Sequence, residues 1–350
     1  MNNDILDIRD YKPISRLVTH QSEIKKPRYP VIDAHNHMGA TFGGAWVDRP
    51  IEALLTAMDE ANVTSVVDLD GFEGEEVFER HLRQLKEKAP ERFRIYTGPD
   101  YSQWPEQKDR FGEWAAQKLR EQAQRGAQGL KIWKNLGASV HDHKGERVRL
   151  PDPRLAPLWQ TAAELKLPVT IHFVDPVAFY DPLTPQNERW EELHAHPDWH
   201  FPAPEFLPFD TLYSDFLELL KQNPDTVFIG AHVGCYAENL AVVEKTLRDH
   251  PNYYVDISER VAELGRQPYT ARRFMINNAD RILFGLDRPV NVDEYRCYYR
   301  ILESDDEYFD YSAVEVYRQG RWKVYGLCLP DDVLKKIYYQ NAERILAPND

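Results

Sequence analysis

Cysteine is scarce in this sequence. Its 350 residues include three cysteines, Cys235, Cys297 and Cys328, which are far apart along the chain. An odd number at such spacing provides neither a disulfide framework nor a cysteine cluster for a metal ion. The sequence therefore predicts a chain that folds without disulfides in a reducing, cytoplasmic compartment.

Long hydrophobic runs and an excess of basic residues are absent as well. No segment approaches the ~18 apolar residues of a membrane span, and the N-terminus lacks the features of an export signal. Lysine and arginine total 43 against 57 aspartate and glutamate residues, and a formal net charge of -14 repels the phosphates of nucleic acids and anionic membranes. These features predict a globular protein, monomeric or homo-oligomeric, whose partner is a small molecule.

Short β-branched or aromatic runs alternate with longer amphipathic stretches from residue 31 onwards. The stretches place apolar residues three or four positions apart, which is the pattern of helices with one buried face. Eight alternations predict an α/β fold, a single (β/α)8 TIM barrel over 31–350, after an N-terminal extension of residues 1–30. The predicted strands are Val31–His37, Val63–Asp70, Phe93–Asp100, Gly129–Lys134, Val169–Val174, Thr226–His232, Tyr253–Ser258 and Ile282–Asp287.

Two connections are longer than a barrel normally uses, 175–210 after the fifth strand and 291–331 after the eighth. The first contains seven prolines, which disfavour regular structure, together with Trp190 and Trp199. Both are expected to border the barrel mouth, because segments that follow strands surround it. For 175–210 the alternatives are an active-site cover whose tryptophan rings contact substrate and a contact between subunits.

Ionisable residues occur in or at the ends of several predicted strands. His35 and His37 are two positions apart, so both side chains lie on one face of the first strand. Strand ends converge at the barrel mouth, where imidazole and carboxylate groups bind Zn²⁺ or a similar divalent ion. The residues expected at this rim are His35, His37, Lys131, His172, His232 and Asp287.

We also predict the contacts of Asp33 and the location of His81. Asp33 lies two positions before His35, and it is expected to orient a ligand histidine, to bind a backbone amide, or to contact the metal. His81 is expected on the solvated surface.

Six motifs give the sequence a resemblance to a known family: VIDAHNHMG, GLKIWK, TIHFVDP, FIGAHVG, ILFGLDRP and IYYQNAERIL. From about Val31 to Leu346 they resemble the amidohydrolase superfamily, specifically its amidohydrolase-related branch of metal-dependent hydrolases and decarboxylases. The ligands of one divalent metal, usually zinc, that this resemblance implies are His35, His37, His172 and Asp287.

The resemblance also implies roles for two other residues. His232 would assist catalysis beside a single metal, or it would bind a second metal in two-metal members. Such members often bridge their metals with a carbamylated lysine, whose position Lys131 would hold. One metal is expected, with two as the alternative.

A site of this kind supports hydrolysis or decarboxylation. Zinc lowers the pKa of its bound water to about 7, so hydroxide can attack an ester, lactone or amide, with Asp287 as the base and His232 stabilising the oxyanion. Decarboxylases of the branch commonly hold the substrate carboxylate with a basic residue, for which Arg49 and Arg288 are candidates. Several of them have glutamate at the first motif histidine, so His35 favours hydrolysis. A third alternative is a metal-binding barrel without catalysis.

Overall fold

The computed structural model describes residues 6–8, 10–313 and 319–346, and it confirms the predicted barrel. Eight parallel strands pair with one another in sequence order. The strands are Val31–Asn36 (β1), Val63–Gly71 (β2), Phe93–Thr97 (β3), Leu130–Ile132 (β4), Val169–Ile171 (β5), Phe228–Gly230 (β6), Tyr253–Asp256 (β7) and Ile282–Leu283 (β8). All of the predicted strands are present, but most end earlier than predicted because the chain turns away from the sheet at the mouth.

Backbone hydrogen bonds join β1 to the residues that follow β8. The Ala34 amide donates to the Phe284 carbonyl over 2.9 Å, and the Asp287 amide donates to the His35 carbonyl over the same distance. The beginning and the end of the barrel are therefore held side by side. This contact fixes Asp287 next to the histidines of β1.

The helices that follow the strands pack around the sheet and bury one apolar face each. They are Ile51–Glu60 (α1), Glu75–His81 (α2), Phe111–Gln124 (α3), Ala156–Glu164 (α4), Phe209–Gln222 (α5), Leu240–Asp249 (α6), Pro268–Asn277 (α7) and Val292–Glu303 (α8). Shorter helices, Trp104–Gln107, Trp190–Ala195 and Val261–Gly265, lie within connections, and the helical segments Asp331–Lys335, Lys336–Gln340 and Asn341–Ile345 end the described chain. Among the described residues, no helix is both long and apolar enough to cross a membrane.

The two long connections contain more regular structure than the sequence predicts. The helix Trp190–Ala195 interrupts 175–210, and α8 occupies the beginning of 291–331. Asn291 caps the N-terminus of α8, because its side chain accepts the Asp293 amide over 2.8 Å. The aromatic residues of α8 then supply its buried face.

Asp33 is completely buried and hydrogen-bonds to the chain on both sides of the closure. Its carboxylate accepts the amides of His35 (3.2 Å) and Leu286 (3.0 Å), the Asn36 side chain (2.8 Å) and the Tyr295 hydroxyl (2.7 Å). Burial raises the pKa of Asp33 to about 6. Of the three roles expected for Asp33, the structure shows the contact with backbone amides.

We expect Asp33→Ala to lower the free energy of unfolding by about 2–4 kcal/mol, because four buried donors lose their acceptor. Chemical or thermal denaturation measures the loss. Asp59→Ala is the control, since the Asp59 side chain is 68% exposed and pairs with Arg92 at the surface. Equal losses in the two variants would show that the Asp33 contacts do not stabilise the closure.

Candidate metal centre

Four of the predicted site residues come together at the barrel mouth, around the carboxylate of Asp287. The Nε2 atoms of His35 and His232 lie 3.5 and 3.6 Å from Asp287 Oδ2, and that of His37 lies 3.4 Å from Oδ1. The three histidines are buried, whereas the Asp287 side chain is 18% exposed. The carboxylate therefore lies between the imidazoles and the opening of the barrel.

The second nitrogen of each of these three imidazoles faces a hydrogen-bond acceptor. The contacts are His35 Nδ1 to Asp256 Oδ2 (2.8 Å), His37 Nδ1 to Asp70 Oδ1 (2.5 Å) and His232 Nδ1 to the Ser258 carbonyl (3.0 Å). An acceptor at Nδ1 keeps the proton of a neutral imidazole on that nitrogen and leaves the Nε2 lone pair for a cation. The arrangement orients all three Nε2 atoms as ligands.

Burial favours the neutral, metal-binding form of three of the histidines, whereas at His37 the Asp70 carboxylate outweighs burial and raises the pKa. Burial lowers the pKa of His35 and His232 well below the usual value and that of His172 to about 4, so these imidazoles are neutral. It raises the pKa of Asp287 to about 6, an effect that the nearby His37 partly offsets. Neutral imidazole and carboxylate are the donor types that divalent transition metals bind.

The turns that carry His232 and Asp287 have an uncommon backbone conformation. Both residues have positive φ angles, 59° and 53°, which costs free energy for residues other than glycine. Hydrogen bonds hold the turns, because the His232 amide donates to Asp256 Oδ1 over 3.0 Å and the Asp287 amide donates to the His35 carbonyl. These turns end β6 and β8 before the predicted boundaries and direct both side chains to the centre.

His172 lies beside this group but is held differently. Its ring packs edge-on against His232, with 4.5 Å between centroids, and its Nε2 lies 3.3 Å from Asp175 Oδ1. Neither nitrogen of this buried ring makes a well-oriented hydrogen bond to the described residues. Lys134 donates to the other Asp175 oxygen over 2.6 Å. A buried imidazole whose nitrogens make no well-oriented hydrogen bond among the described residues fits a metal ligand.

Lys131 is buried on β4, below the histidines. Its Nζ lies 3.4 Å from His35 Nε2, and burial lowers its pKa. In the described part of the chain, no carboxylate lies within 4.0 Å of this amine. The position is compatible with the predicted second-metal role of Lys131, which stays a prediction.

The residues present therefore fit a divalent cation. His35, His232 and Asp287 offer ligand atoms within 4.8 Å of one another, and His37 extends the group through Asp287. The family resemblance implies His172 rather than His232 as a ligand. In the structure, His232 is the one of the two that lies with His35 and Asp287 in the group of close ligand atoms. The choice between these two histidines stays a prediction.

His81 lies in a buried network, so the predicted surface location is wrong. The residue is 1% exposed, and its Nδ1 contacts Asp68 Oδ2 over 2.5 Å. Asp70 accepts the amides of Met38 (2.8 Å) and Gly39 (2.6 Å). Asp68, Asp70 and His81 lie close enough to bind an ion, but these contacts engage their polar atoms in bracing the chain after β1. The Asp-x-Asp pattern at the end of β2 is the signal that sequence reasoning missed.

Three aromatic rings line one side of the centre. Phe72 and Trp133 stack with centroids 5.1 Å apart, and Phe42 lies 5.3 Å from Trp133. This aromatic wall lies against the metal centre. The ring centroids of Phe42 and His37 are 5.1 Å apart, and those of Trp133 and His172 are 5.0 Å apart. No periodic pattern in the sequence predicts this wall, since each ring belongs to a different connection.

The two tryptophans predicted to contact substrate lie in the segment 175–210. Trp190 is 40% exposed and stacks on His194, with 4.8 Å between centroids. Trp199 stacks on His196 at 4.0 Å. The substrate-contacting role of both tryptophans stays a prediction.

The two arginines predicted to hold a carboxylate have other partners. Arg49 is exposed and donates to the Gly44 carbonyl over 2.5 Å. Arg288 is buried and pairs with two carboxylates, those of Glu259 (2.5 Å) and Glu294. These contacts engage both guanidinium groups, and a role in substrate binding stays a prediction.

A parallel eight-stranded barrel with histidines and an aspartate at the carboxyl ends of its strands defines the class of a metal-dependent TIM-barrel protein. Within that class, the chain belongs to the amidohydrolase family, whose model matches residues 32–347. The family match confirms the resemblance noted in the sequence. No curated protein matches the sequence.

Solved structures with the same fold include several lyases. A 2,6-dihydroxybenzoate decarboxylase from Rhizobium has a TM-score of 0.55 and 16% identity over 90% of this chain and 98% of that chain. A dihydroxybenzoic acid decarboxylase from a Polaromonas species, with bound manganese and the inhibitor 2-nitroresorcinol, has a TM-score of 0.53 and 17% identity over 90% and 96%. A 4-oxalomesaconate hydratase from Rhodopseudomonas palustris has a TM-score of 0.52 and 14% identity over 90% and 95%. At these identities the likeness establishes the fold.

We expect the purified protein to contain about one divalent metal ion per chain. His37→Ala should lower the metal content several-fold, because a ligand nitrogen is lost. Elemental analysis after dialysis measures this, and His20→Ala, which removes an exposed imidazole, is the control. Undiminished metal in His37→Ala would remove His37 from the ligand set, and two ions per chain would support the role predicted for Lys131.

Proposed function

We propose that the protein is a metal-dependent lyase that removes carbon dioxide from a small aromatic carboxylic acid. The observation that carries this proposal is the aromatic wall of Phe42, Phe72 and Trp133 in contact with the histidines of the metal centre. Decarboxylation is the alternative in the sequence-based expectations. Hydrolysis by zinc-activated water, the first expectation, stays a prediction with less support.

The aromatic wall suits a flat substrate. Rings offset or edge-on to Trp133 and Phe72 gain dispersion and quadrupole contacts that an aliphatic ester or amide would lack. The wall lies beside His37 and His172, so a ring held against it has its substituents near the metal ligands. A bound divalent metal supplies positive charge that binds the oxygens of such a substrate.

A lysine that is paired with one carboxylate lies beside the wall as well. Lys134 Nζ lies 5.3 Å from the Trp133 ring centroid and 2.6 Å from Asp175. An ammonium group at this position favours an anionic substituent on a ring that stacks against the wall. Lys134 is therefore a better-placed candidate for the carboxylate than the exposed Arg49.

Asp287 is placed to transfer the proton that decarboxylation requires. When the bond between the ring and the carboxylate breaks, its electron pair stays on the ring carbon, which must then take up a proton. Asp287 lies over the three imidazoles and toward the mouth, and burial raises its pKa to about 6, which favours the protonated form more than in a free aspartate. Its proton is replaced from water after carbon dioxide leaves.

The names of several structural neighbours support the same chemistry. Two of the neighbours described above are named as dihydroxybenzoate decarboxylases, and one of these holds manganese. A third neighbour is named as a hydratase. The metal of this chain is accordingly proposed to be zinc or manganese, and its substrate a hydroxylated benzoate or a similar unsaturated acid.

Asp287→Asn should lower the rate of decarboxylation by about 10² or more, because it removes the proton donor. Carbon dioxide release from a panel of hydroxybenzoates measures the rate, with metal content determined on the same samples. Asp293→Asn, which changes an exposed acid on α8, should leave the rate unchanged. Full turnover of metal-loaded Asp287→Asn would assign the proton transfer to another group, and turnover of esters or lactones alone would favour hydrolysis.

Trp133→Leu should raise KM for an aromatic acid by about tenfold, because one stacking face is lost. Trp190→Ala is the matched control, since that ring is 40% exposed within 175–210. Steady-state kinetics and melting temperatures of both variants separate binding from stability. A change in KM for Trp190→Ala with none for Trp133→Leu would instead support 175–210 as the part of the mouth that contacts substrate.

A further inference from the structure

Arg260 is the one buried arginine in the described part of the chain that has no ion pair. The other two, Arg189 and Arg288, each pair with two glutamates. Arg260 is 6% exposed, and its guanidinium donates one hydrogen bond, to the Glu259 carbonyl over 2.8 Å. No carboxylate oxygen of the described residues lies within 4.0 Å of this group. A buried cation with unused donors is costly unless a ligand supplies the negative charge.

This arginine lies beside the metal centre. It follows β7 and comes two residues after Ser258, whose hydroxyl is 3.1 Å from His35 Nδ1 and 3.0 Å from His232 Nδ1. The Arg260 amide donates to the Ile257 carbonyl over 3.2 Å, so a tight turn connects the arginine to these contacts. Burial lowers the pKa of both histidines, and the positive charge of Arg260 contributes to the same shift. The guanidinium is therefore close enough to act on the centre.

Arg260 and the aromatic wall lie on opposite sides of the barrel mouth. In the closed ring of eight strands, β7 is opposite β3. Phe72 and Trp133 directly follow β2 and β4, the two strands that flank β3, and Phe42 follows β1. A ring that stacks on the wall and contacts the metal ligands therefore has its far edge toward the side of Arg260.

The acidic residues around Arg260 do not pair with it. Arg189 binds Glu192 over 2.8 Å and also pairs with Glu263. Glu238 accepts a backbone amide over 3.1 Å. Burial raises the pKa of Glu238, and it raises that of Glu192 to about 7, so both are less charged than free glutamates. Burial opposes the charge of Arg260 itself, but Glu263 and Glu238 outweigh burial and raise its pKa. The guanidinium is charged, and its other donors are available to an anion.

We propose that Arg260 binds a carboxylate of the substrate that stays on the product, and this inference rests on the proposed decarboxylation. The carboxylate that leaves as carbon dioxide loses its charge in the transition state, so a tight ion pair with it would stabilise the ground state and slow the reaction. A carboxylate that is retained keeps its charge throughout. Its charged hydrogen bonds with Arg260 hold the ring in place without that penalty.

The substrate class is then an aromatic dicarboxylic acid. One carboxylate leaves as carbon dioxide and a proton takes its place on the ring carbon, while the other stays bound to Arg260. Lys134 suits the leaving carboxylate, because this lysine shares its charge with Asp175 and therefore pairs less tightly. The product is the corresponding monocarboxylic acid.

Equilibrium binding of isophthalate and benzoate to the metal-loaded protein tests this assignment. The two probes differ by one carboxylate, and calorimetry measures both without turnover. Wild-type protein should bind isophthalate at least about tenfold more tightly than benzoate. Arg260→Gln should lose this preference while its benzoate affinity stays within about twofold of wild type, and Arg260→Lys should regain part of the preference. Arg110→Gln, which changes a side chain that is 81% exposed, is the control and should bind both acids as wild type does.

Equal affinity of the wild-type protein for the two acids would overturn the inference, and so would a preference that persists in Arg260→Gln. Equal weakening of both acids in Arg260→Gln would place the leaving carboxylate at this arginine instead. Metal content and melting temperature of Arg260→Gln should match wild type, because no ion pair is lost, and a fall in either would assign Arg260 a structural role. An Arg260-dependent preference in a protein that releases no carbon dioxide from any aromatic acid would contradict the lyase proposal while confirming the carboxylate site.

Discussion

The buried carboxylate of Asp256 joins three parts of the barrel, and the metal centre depends on it. One oxygen lies 2.8 Å from His35 Nδ1, and the other accepts the amides of His232 and Ser258, each over 3.0 Å. A carboxylate without access to water must be surrounded by donors, because an unpaired charge is costly to bury. Satisfying Asp256 therefore fixes β1, the turn after β6 and the end of β7 relative to one another, and the Nε2 atoms of both histidines point to the same place as a result.

The same constraint explains why strained turns persist at the centre. His232 and Asp287 adopt left-handed conformations that a chain without these contacts would leave. Asp256 holds the first turn, and the closure of β1 on the residues after β8 holds the second. The free energy of folding of the barrel thus keeps two candidate ligand side chains in positions that regular strands could not provide.

Much of the barrel and of the candidate metal centre could be predicted from the sequence. The basis of that prediction also explains which contacts could not be predicted. Strand order and the period of two in β1 were sufficient to predict that His35, His37 and Asp287 meet, because parallel strands all end at one rim. The burial of His81 could not be predicted, because its partner Asp68 lies on another element. Only the folded chain shows that the side of α2 with this ring faces the interior. The aromatic wall was missed for the same reason: its rings come from three connections whose conformations no periodic pattern determines.

A divalent ion at the centre would bring positive charge into a chain that is acidic as a whole, and this bears on the substrate. Burial keeps His35, His172 and His232 neutral. Among the four predicted ligands and His232, the one negative charge is therefore that of Asp287. A divalent ion bound there would exceed the single negative charge of Asp287 in a region of low dielectric, where charge acts strongly. Lys134 lies at the aromatic wall and is paired with Asp175. An acidic surface repels large polyanions, whereas a small carboxylate that enters the mouth meets an attractive field. The proposed aromatic acid fits the shape of the wall, and its negative charge is attracted by this field. A neutral ester or amide has no such charge.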